Sequence, residues 1–316
     1  MKLLIIQSWS NDRIEAAKKT FPQVQFVFAT DLDDILREIV DAEIVFGSIS
    51  REAFLAARRL KWIQSSSAGV EQFAQICELV DSNVVVTNTR GAHGATIAEH
   101  AFGLLINLTR QLPQLFEAQG KHNWMERFDT PQLGLTGLTL GMIGLGNIGR
   151  AIAKRGHAFD MNVIAIDVHE VPKPDFVDEL RLSDGLDDLL ERADVVAVTI
   201  PYTPETEELL GQQQLKLMKS TAYLLVVSRG GIVDEEALAQ MLREGRLAGA
   251  GLDVTATEPL PKDSPLWDTP NLLLTPHCSA HSAFTSTTGI AIFHENLRRY
   301  LARKPLTNLV DLKQGY

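Results

Sequence analysis

The sequence predicts an α/β protein built on doubly wound parallel sheets. Three observations carry that prediction. Short apolar runs alternate with amphipathic stretches almost from end to end. The runs are continuous rather than alternating apolar with polar, as parallel strands covered on both faces require. And 316 residues are too many for one small core, so the alternation divides into two series of ordinary domain size.

In the first series "KLLII", "VQFVF", "EIVFG", "KWIQS" and "NVVVT" read as buried strands, with helical patterns at Asp12–Thr20, Leu32–Ile39 and Arg51–Ala57 between them. One long apolar helix is expected over roughly Ile97–Gln119, since the run meets no proline before Pro113. The loop "FDTPQLGLTG", with Pro131, Gly134 and Gly137, reads as a connection. A second series follows: "LTLGMIG", "NVIAID", "DVVAVTI", "AYLLVV", "AGAGLD" and "NLLLT". The Pro-rich "HEVPKPDF" between two of its strands reads as a long surface loop, and about Thr285–Arg303 as a last helix.

Composition narrows the function classes. Hydrophobic residues at 45% and charged residues at 22% are ordinary globular values. A net charge of −10 argues against nucleic acid and against anionic membrane surfaces, so an anionic substrate needs a local basic site. Cys77 and Cys278 are the only cysteines, which offers no disulfide framework and makes a reducing cytoplasm the default compartment. Gln7 interrupts the apolar start too early for a signal peptide, and no apolar run is long enough to span a bilayer.

"TLGMIGLGNIGRAIAKRG" holds Gly144, Gly146 and Gly149 in G-x-G-x-x-G spacing, after an apolar strand and before a helical run. In that context the glycines permit a tight turn, a close approach to a pyrophosphate and close helix packing, while the helix N-terminus supplies N–H donors. The next strand ends in Asp167, eighteen positions after Gly149, where a carboxylate accepts from adenosine ribose hydroxyls. Asp167 repels a 2′-phosphate, and Val168, His169 and Glu170 include no Arg or Lys to hold one, so NAD is expected rather than NADP. The competing reading is a structural turn with an ordinary strand-end Asp.

Polar residues follow the later strands at their carboxyl ends, where open α/β sheets bind ligands. Arg229 follows "YLLVVS", Asp253 closes "AGAGLD" with Glu258 in the next loop, and His277 follows "NLLLTP".

Over essentially its whole length the sequence resembles the D-isomer-specific 2-hydroxyacid dehydrogenase family. The matching blocks are "SSSAGVEQF", "TNTRGAHGATIAEHAFGLL", "GMIGLGNIGRAIA", "PYTPET", "MKSTAYLLVVSRGGIVDEEAL", "GLDVTATEPLP" and "PLWDTPNLLLTPH". The resemblance implies a Rossmann NAD-binding domain, 99–279, inserted in a flavodoxin-like substrate domain, 1–98 and 280–316. It implies that Arg229 binds the substrate carboxylate and carbonyl, that Glu258 and His277 form an acid–base pair, and that Ala68 and Gly69 offer N–H groups to the carboxylate. It assigns Asp253 to the nicotinamide side and Thr96, Asn147, Ile148, Pro201, Thr206 and Ser228, with the glycines and Asp167, to the cofactor. It implies a homodimer built partly by the long helix, and domain closure that excludes water from hydride transfer.

The chemistry agrees. A guanidinium forks onto the adjacent carboxylate and ketone oxygens of a 2-oxo acid. Hydride addition to the ketone leaves an alkoxide that must gain a proton, which an imidazolium oriented by a carboxylate supplies.

The chain departs from the family's common pattern at Val226, where Asn is frequent, at Arg90, where Pro is frequent, and at Tyr202, where Leu is frequent. Arg90 with His93 either lines a pocket for a second anionic group or forms a solvated turn. The chain ends at Tyr316, so the added regulatory domain of some phosphoglycerate dehydrogenases is not expected. His277 and His281 lie four apart without a third ligand, so no metal is expected; the remaining histidines, His93, His100, His122, His157, His169 and His294, read as packing or surface residues. Two alternatives stand beside the 2-oxo acid reductase: a formate dehydrogenase-like enzyme, against which the acidic Glu258 argues, and an NAD-sensing corepressor-like binding protein on the same fold.

Overall fold

The structure is a computed structural model that describes residues 1–125 and 132–313. Pro131 and Tyr316 therefore lie outside the described residues. The chain forms two compact units, Met1–Ala92 with Ala283–Tyr316, and His93–Ser282. The expected bounds were 98/99 and 279/280. The first change falls earlier because the helix that opens the second unit packs within that unit from its first residue: a Cβ on Gly94 would lie 3.0 Å from the Asn147 carbonyl.

The first unit runs β1 (Lys2–Ile5), α1 (Asn11–Thr20), β2 (Gln25–Phe28), α2 (Leu32–Glu38), β3 (Ile44–Phe46), α3 (Arg51–Ala56), β4 (Trp62–Gln64), α4 (Glu71–Ala74), α5 (Cys77–Val80) and β5 (Val85–Thr87). Side-chain caps fix where α1, α2 and α3 begin, because the first N–H groups of a helix have no internal partner. Ser10 accepts from Arg13 N, Asp31 from Asp34 N and Ser50 from Ala53 N. The strands pair in parallel in the order β2-β1-β3-β4-β5, the flavodoxin-like order. Leu4, Val45, Ile63 and Phe73 fill one face of the sheet, and Leu3, Ile5, Phe46 and Trp62 the other.

The second unit runs α6 (Gly94–Thr109), α7 (Leu112–Gly120), β6 (Thr139–Ile143), α8 (Asn147–Ala158), β7 (Asn162–Asp167), β8 (Glu179–Leu182), α9 (Leu186–Arg192), β9 (Val195–Val198), α10 (Gln212–Leu215), β10 (Tyr223–Val226), α11 (Glu235–Arg243), β11 (Gly249–Leu252) and β12 (Leu272–Leu274). The chain then returns to the first unit with α12 (Ala283–Leu301), whose Phe293 and Leu297 complete the Trp62 face.

The single helix expected over 97–119 is two. Pro113 has no N–H to donate back to the preceding turn, and the chain breaks at Gln111, which takes a left-handed φ of 54°. The seven parallel strands are ordered β12-β11-β10-β9-β6-β7-β8. The order reverses between β6 and β9, and that switch point opens the crevice in which such sheets bind ligands. Among the described residues no helix is long and apolar enough to cross a membrane.

Candidate active site

Each candidate residue of the second unit follows from how a strand of its sheet ends. After β6, Gly144 turns at φ 91°, and a Cβ on Gly149 would lie 2.2 Å from the Gly144 carbonyl, so α8 can pack this close only with glycine there. Thr199 Oγ1, after β9, donates to the same carbonyl at 2.9 Å. Gly146 caps α8 without a side-chain bond, and a Cβ there would meet nothing within 4 Å. Uncapped N–H groups of Asn147 and Ile148 beside open space form the cradle that an anion at a helix N-terminus requires. Asp167, at the end of β7, accepts Leu145 N at 2.8 Å and His169 N at 3.1 Å, which holds its carboxylate beside the glycine loop. Past β9, Thr206 Oγ1 accepts Thr203 N at 2.7 Å and donates to Pro201 O at 2.8 Å, shaping the turn. Ser228 Oγ is buried with no hydrogen-bond partner among the described residues. These features fit a dinucleotide.

Arg229 follows β10 and donates from Nη1 to the Ser228 carbonyl at 2.7 Å. Gly230 comes next, and a Cβ on it would lie 2.0 Å from the Thr255 carbonyl group. Only glycine lets the arginine loop and the loop after β11 meet backbone to backbone. His93 is close enough that the Arg229 charge adds to its burial, the larger effect, in pushing its imidazole below the ordinary range.

Asp253, at the end of β11, is 1% exposed. A carboxylate that deep needs every lone pair engaged. Oδ1 accepts Thr275 Oγ1 at 2.6 Å and Cys278 N at 3.0 Å, and Oδ2 accepts Ser279 N at 3.0 Å. Burial works to raise this carboxyl, but the hydrogen bonds outweigh it and the net direction is down. The Asp253 carbonyl takes His277 N at 2.7 Å. Asp253 therefore ties down the whole turn that carries His277, a residue held at a left-handed φ of 50°. Such a backbone costs about 1–3 kcal/mol and persists only where its surroundings impose it.

In that turn His277 Nδ1 meets Glu258 Oε2 at 2.7 Å, and Glu258 Oε1 accepts Thr255 N at 3.1 Å. The imidazole donates its Nδ1–H to the carboxylate and keeps Nε2 for other chemistry. Both side chains are partly open, at 45% and 37% exposure, as groups that exchange protons with a ligand must be.

Thr96 Oγ1 lies 2.9 Å from Ser282 Oγ in the second unit. Ala68 and Gly69 stand in the first unit, on the loop after β4; the Ala68 carbonyl accepts Asn88 Nδ2 and the Gly69 carbonyl accepts Ser67 Oγ, each at 2.9 Å. Arg90 and His93 belong to different units. Arg90 N donates to Asn88 Oδ1 at 3.0 Å and its carbonyl accepts Asn308 Nδ2 at 2.8 Å.

His100, expected as a packing or surface histidine, is half-buried on α6. Its Nε2 lies 2.9 Å from Thr275 Oγ1 and 3.6 Å from Asp253 Oδ1, so it extends the Asp253 network onto α6. His100, Asp253 and Cys278 bring three ligand atoms within 4.8 Å. The carboxylate and imidazole are already hydrogen-bonded, and burial and Asp253 push the Cys278 thiol up, keeping it protonated.

A family model described as "D-isomer specific 2-hydroxyacid dehydrogenase, NAD binding domain" matches residues 102–279. The chain belongs to the D-isomer-specific 2-hydroxyacid dehydrogenase family. D-3-phosphoglycerate dehydrogenase of Methanocaldococcus jannaschii is 31% identical over 99% of this chain and 60% of its own length. Glyoxylate reductase of Thermofilum pendens is 36% identical over 78% of this chain and 75% of its own. A family protein of Aeromonas salmonicida superposes with a TM-score of 0.86 at 33% identity, covering 98% of this chain and 99% of that one. The chain spans about three fifths of the length of the curated phosphoglycerate dehydrogenases it matches. Within this dehydrogenase family the second unit is the NAD-binding domain.

Proposed function

We propose that this chain is an NAD-dependent oxidoreductase that interconverts a small 2-oxo acid and the corresponding D-2-hydroxy acid. The observation that carries the reading is the 2.7 Å His277–Glu258 pair, which emerges with Arg229 from the carboxyl ends of neighbouring strands. When bound, NADH supplies the hydride. Arg229 anchors the substrate carboxylate and polarises the ketone oxygen through a fork that a point charge cannot reproduce. His277 gives its Nε2 proton to the oxygen that gains negative charge as the ketone is reduced, and takes it back in the oxidative direction. Glu258 holds the ring by Nδ1 and stabilises it while charged.

Gly144, Gly146, Asn147, Ile148 and Gly149 hold the pyrophosphate, Asp167 the adenosine ribose, and Thr96, Pro201, Thr206, Ser228 and Asp253 line the rest of the cofactor site. Ala68 and Gly69 offer N–H groups to a carboxylate. NADH oxidation measured with glyoxylate, pyruvate and hydroxypyruvate tests the reading; a chain that binds NADH but turns over none of them is not a reductase of this class.

The protein acts as a homodimer in the cytoplasm. Phe116 on α7 at 61% exposure and Trp124 at 90% support a covered apolar face there. Both cysteines are free, which suits a reducing compartment. Light scattering that returns a monomer mass of 34.9 kDa at micromolar concentration removes the dimer.

A further inference from the structure

Asp234 caps α11, accepting Ala237 N at 2.9 Å, so Glu235 at the first helical position is not needed as a cap. Its carboxylate instead reaches across to the next loop and accepts Ala256 N at 2.5 Å. Ala256 sits in the turn that carries Glu258. Within that turn Thr255 N donates to Glu258 Oε1 at 3.1 Å and Thr255 Oγ1 to the Thr257 carbonyl at 2.9 Å. Beneath it lies Gly230, against which the Thr255–Ala256 backbone packs directly. Glu235 and Arg229 line one small cavity with Gly230 and Val254. The half-buried position is unfavourable for a carboxylate: burial, then the charges of Glu258 and Asp234, push its carboxyl up, against the Ala256 hydrogen bond.

We propose that Glu235 is a positioning residue for the acid–base pair: its carboxylate ties the Thr255–Glu258 turn to the start of α11 and so holds Glu258 at Nδ1 of His277. The proposal rests on the oxidoreductase reading for its catalytic consequence, but the tie itself is a property of the chain alone. A charge-assisted bond to a backbone amide contributes about 1.5–3 kcal/mol, which corresponds to a loss of about 10–100-fold when the acceptor is removed.

The test measures hydrogen exchange of a peptide spanning 252–260 in the cofactor-free chain, and kcat with NADH affinity, for Glu235→Ala and Glu235→Gln. Glu235→Ala is expected to speed exchange at Ala256 about tenfold and to lower kcat about 10–100-fold, with the Kd for NADH unchanged. Glu235→Gln keeps a carbonyl acceptor but loses the charge assistance, and is expected to fall between wild type and Glu235→Ala in both. On a Glu258→Gln background, Glu235→Ala is expected to add almost nothing, because the residue it positions is already disabled. Should Glu235→Ala not fold, Glu235→Met keeps the length without the acceptor and carries the same expectations. Unchanged exchange at Ala256, a glutamine variant no better than alanine, or full additivity with Glu258→Gln overturns the proposal. If wild-type chain reduces no 2-oxo acid, the oxidoreductase reading fails while the exchange measurement still decides whether Glu235 holds the turn.

Discussion

Glu258 Oε2 and His277 Nδ1 meet at 2.7 Å although the residues leave the sheet on separate loops, one after β11 and one after β12. Two backbone devices make the meeting possible. Asp253 fastens the His277 turn from below through its carbonyl and its carboxylate, and Gly230 lets the Glu258 loop settle on the arginine loop.

The pair is expected to set opposite pH dependences for the two directions. In the proposed reaction reduction consumes the imidazolium proton, so its kcat/KM is expected to fall as pH rises, whereas oxidation needs the neutral ring and is expected to rise with pH. His277→Ala removes both dependences with most of the rate. Initial rates from pH 5 to 9 in each direction check this, and a retained profile in the variant assigns the proton to another group.

Arg229→Ala is expected to lower kcat/KM by about three orders of magnitude, since in the proposed site it removes a charge-assisted anchor that also polarises the ketone. Arg229→Lys recovers little, because an ammonium offers no planar fork. Steady-state kinetics decide it: a lysine variant near wild type rules out a bidentate guanidinium.

Asp167 is expected to give the chain a preference for NADH over NADPH, and Asp167→Ala to relax that preference while leaving turnover with NADH measurable. The ratio of kcat/KM for the two cofactors is the readout. Equal efficiency in the wild-type chain contradicts it.

His294 is expected to make the first unit acid-sensitive. Its imidazole packs against Phe21 and Phe293, and burial, then Arg298 and Arg13, hold it below the ordinary histidine range. Below pH about 6.5 the unfolded chain binds a proton that the folded one refuses. The stability from the neutral ring is thus full above that pH and is lost as pH falls through the folded value. His294→Phe makes urea midpoints at pH 7 and pH 5 more alike; an unchanged difference places the acid sensitivity elsewhere.

Most of this architecture was legible in the sequence because buried parallel strands write themselves as unbroken apolar runs. β8 was not: its residues ELRL are only partly buried or exposed, so the edge strand resembles the loop before it. The helix break at Gln111 was hidden because the apolar pattern runs on to Pro113 while the backbone turns two residues earlier. In the site, strand-end position pointed to Arg229, Glu258 and His277, but the support beneath them joins residues far apart in the chain. Thr275 links His100 to Asp253 across 175 and 22 positions, and Glu235 reaches Ala256 across 21. No local spacing encodes such pairs; they exist only once the sheet order is known.

The most direct measurement of the central claim is isotope transfer from NADH dideuterated at C4 to pyruvate or hydroxypyruvate, followed by chiral analysis of the product. The predicted result is a D-2-hydroxy acid carrying one deuterium at C2. An L product, a product without deuterium at C2, or NADH binding without turnover contradicts it.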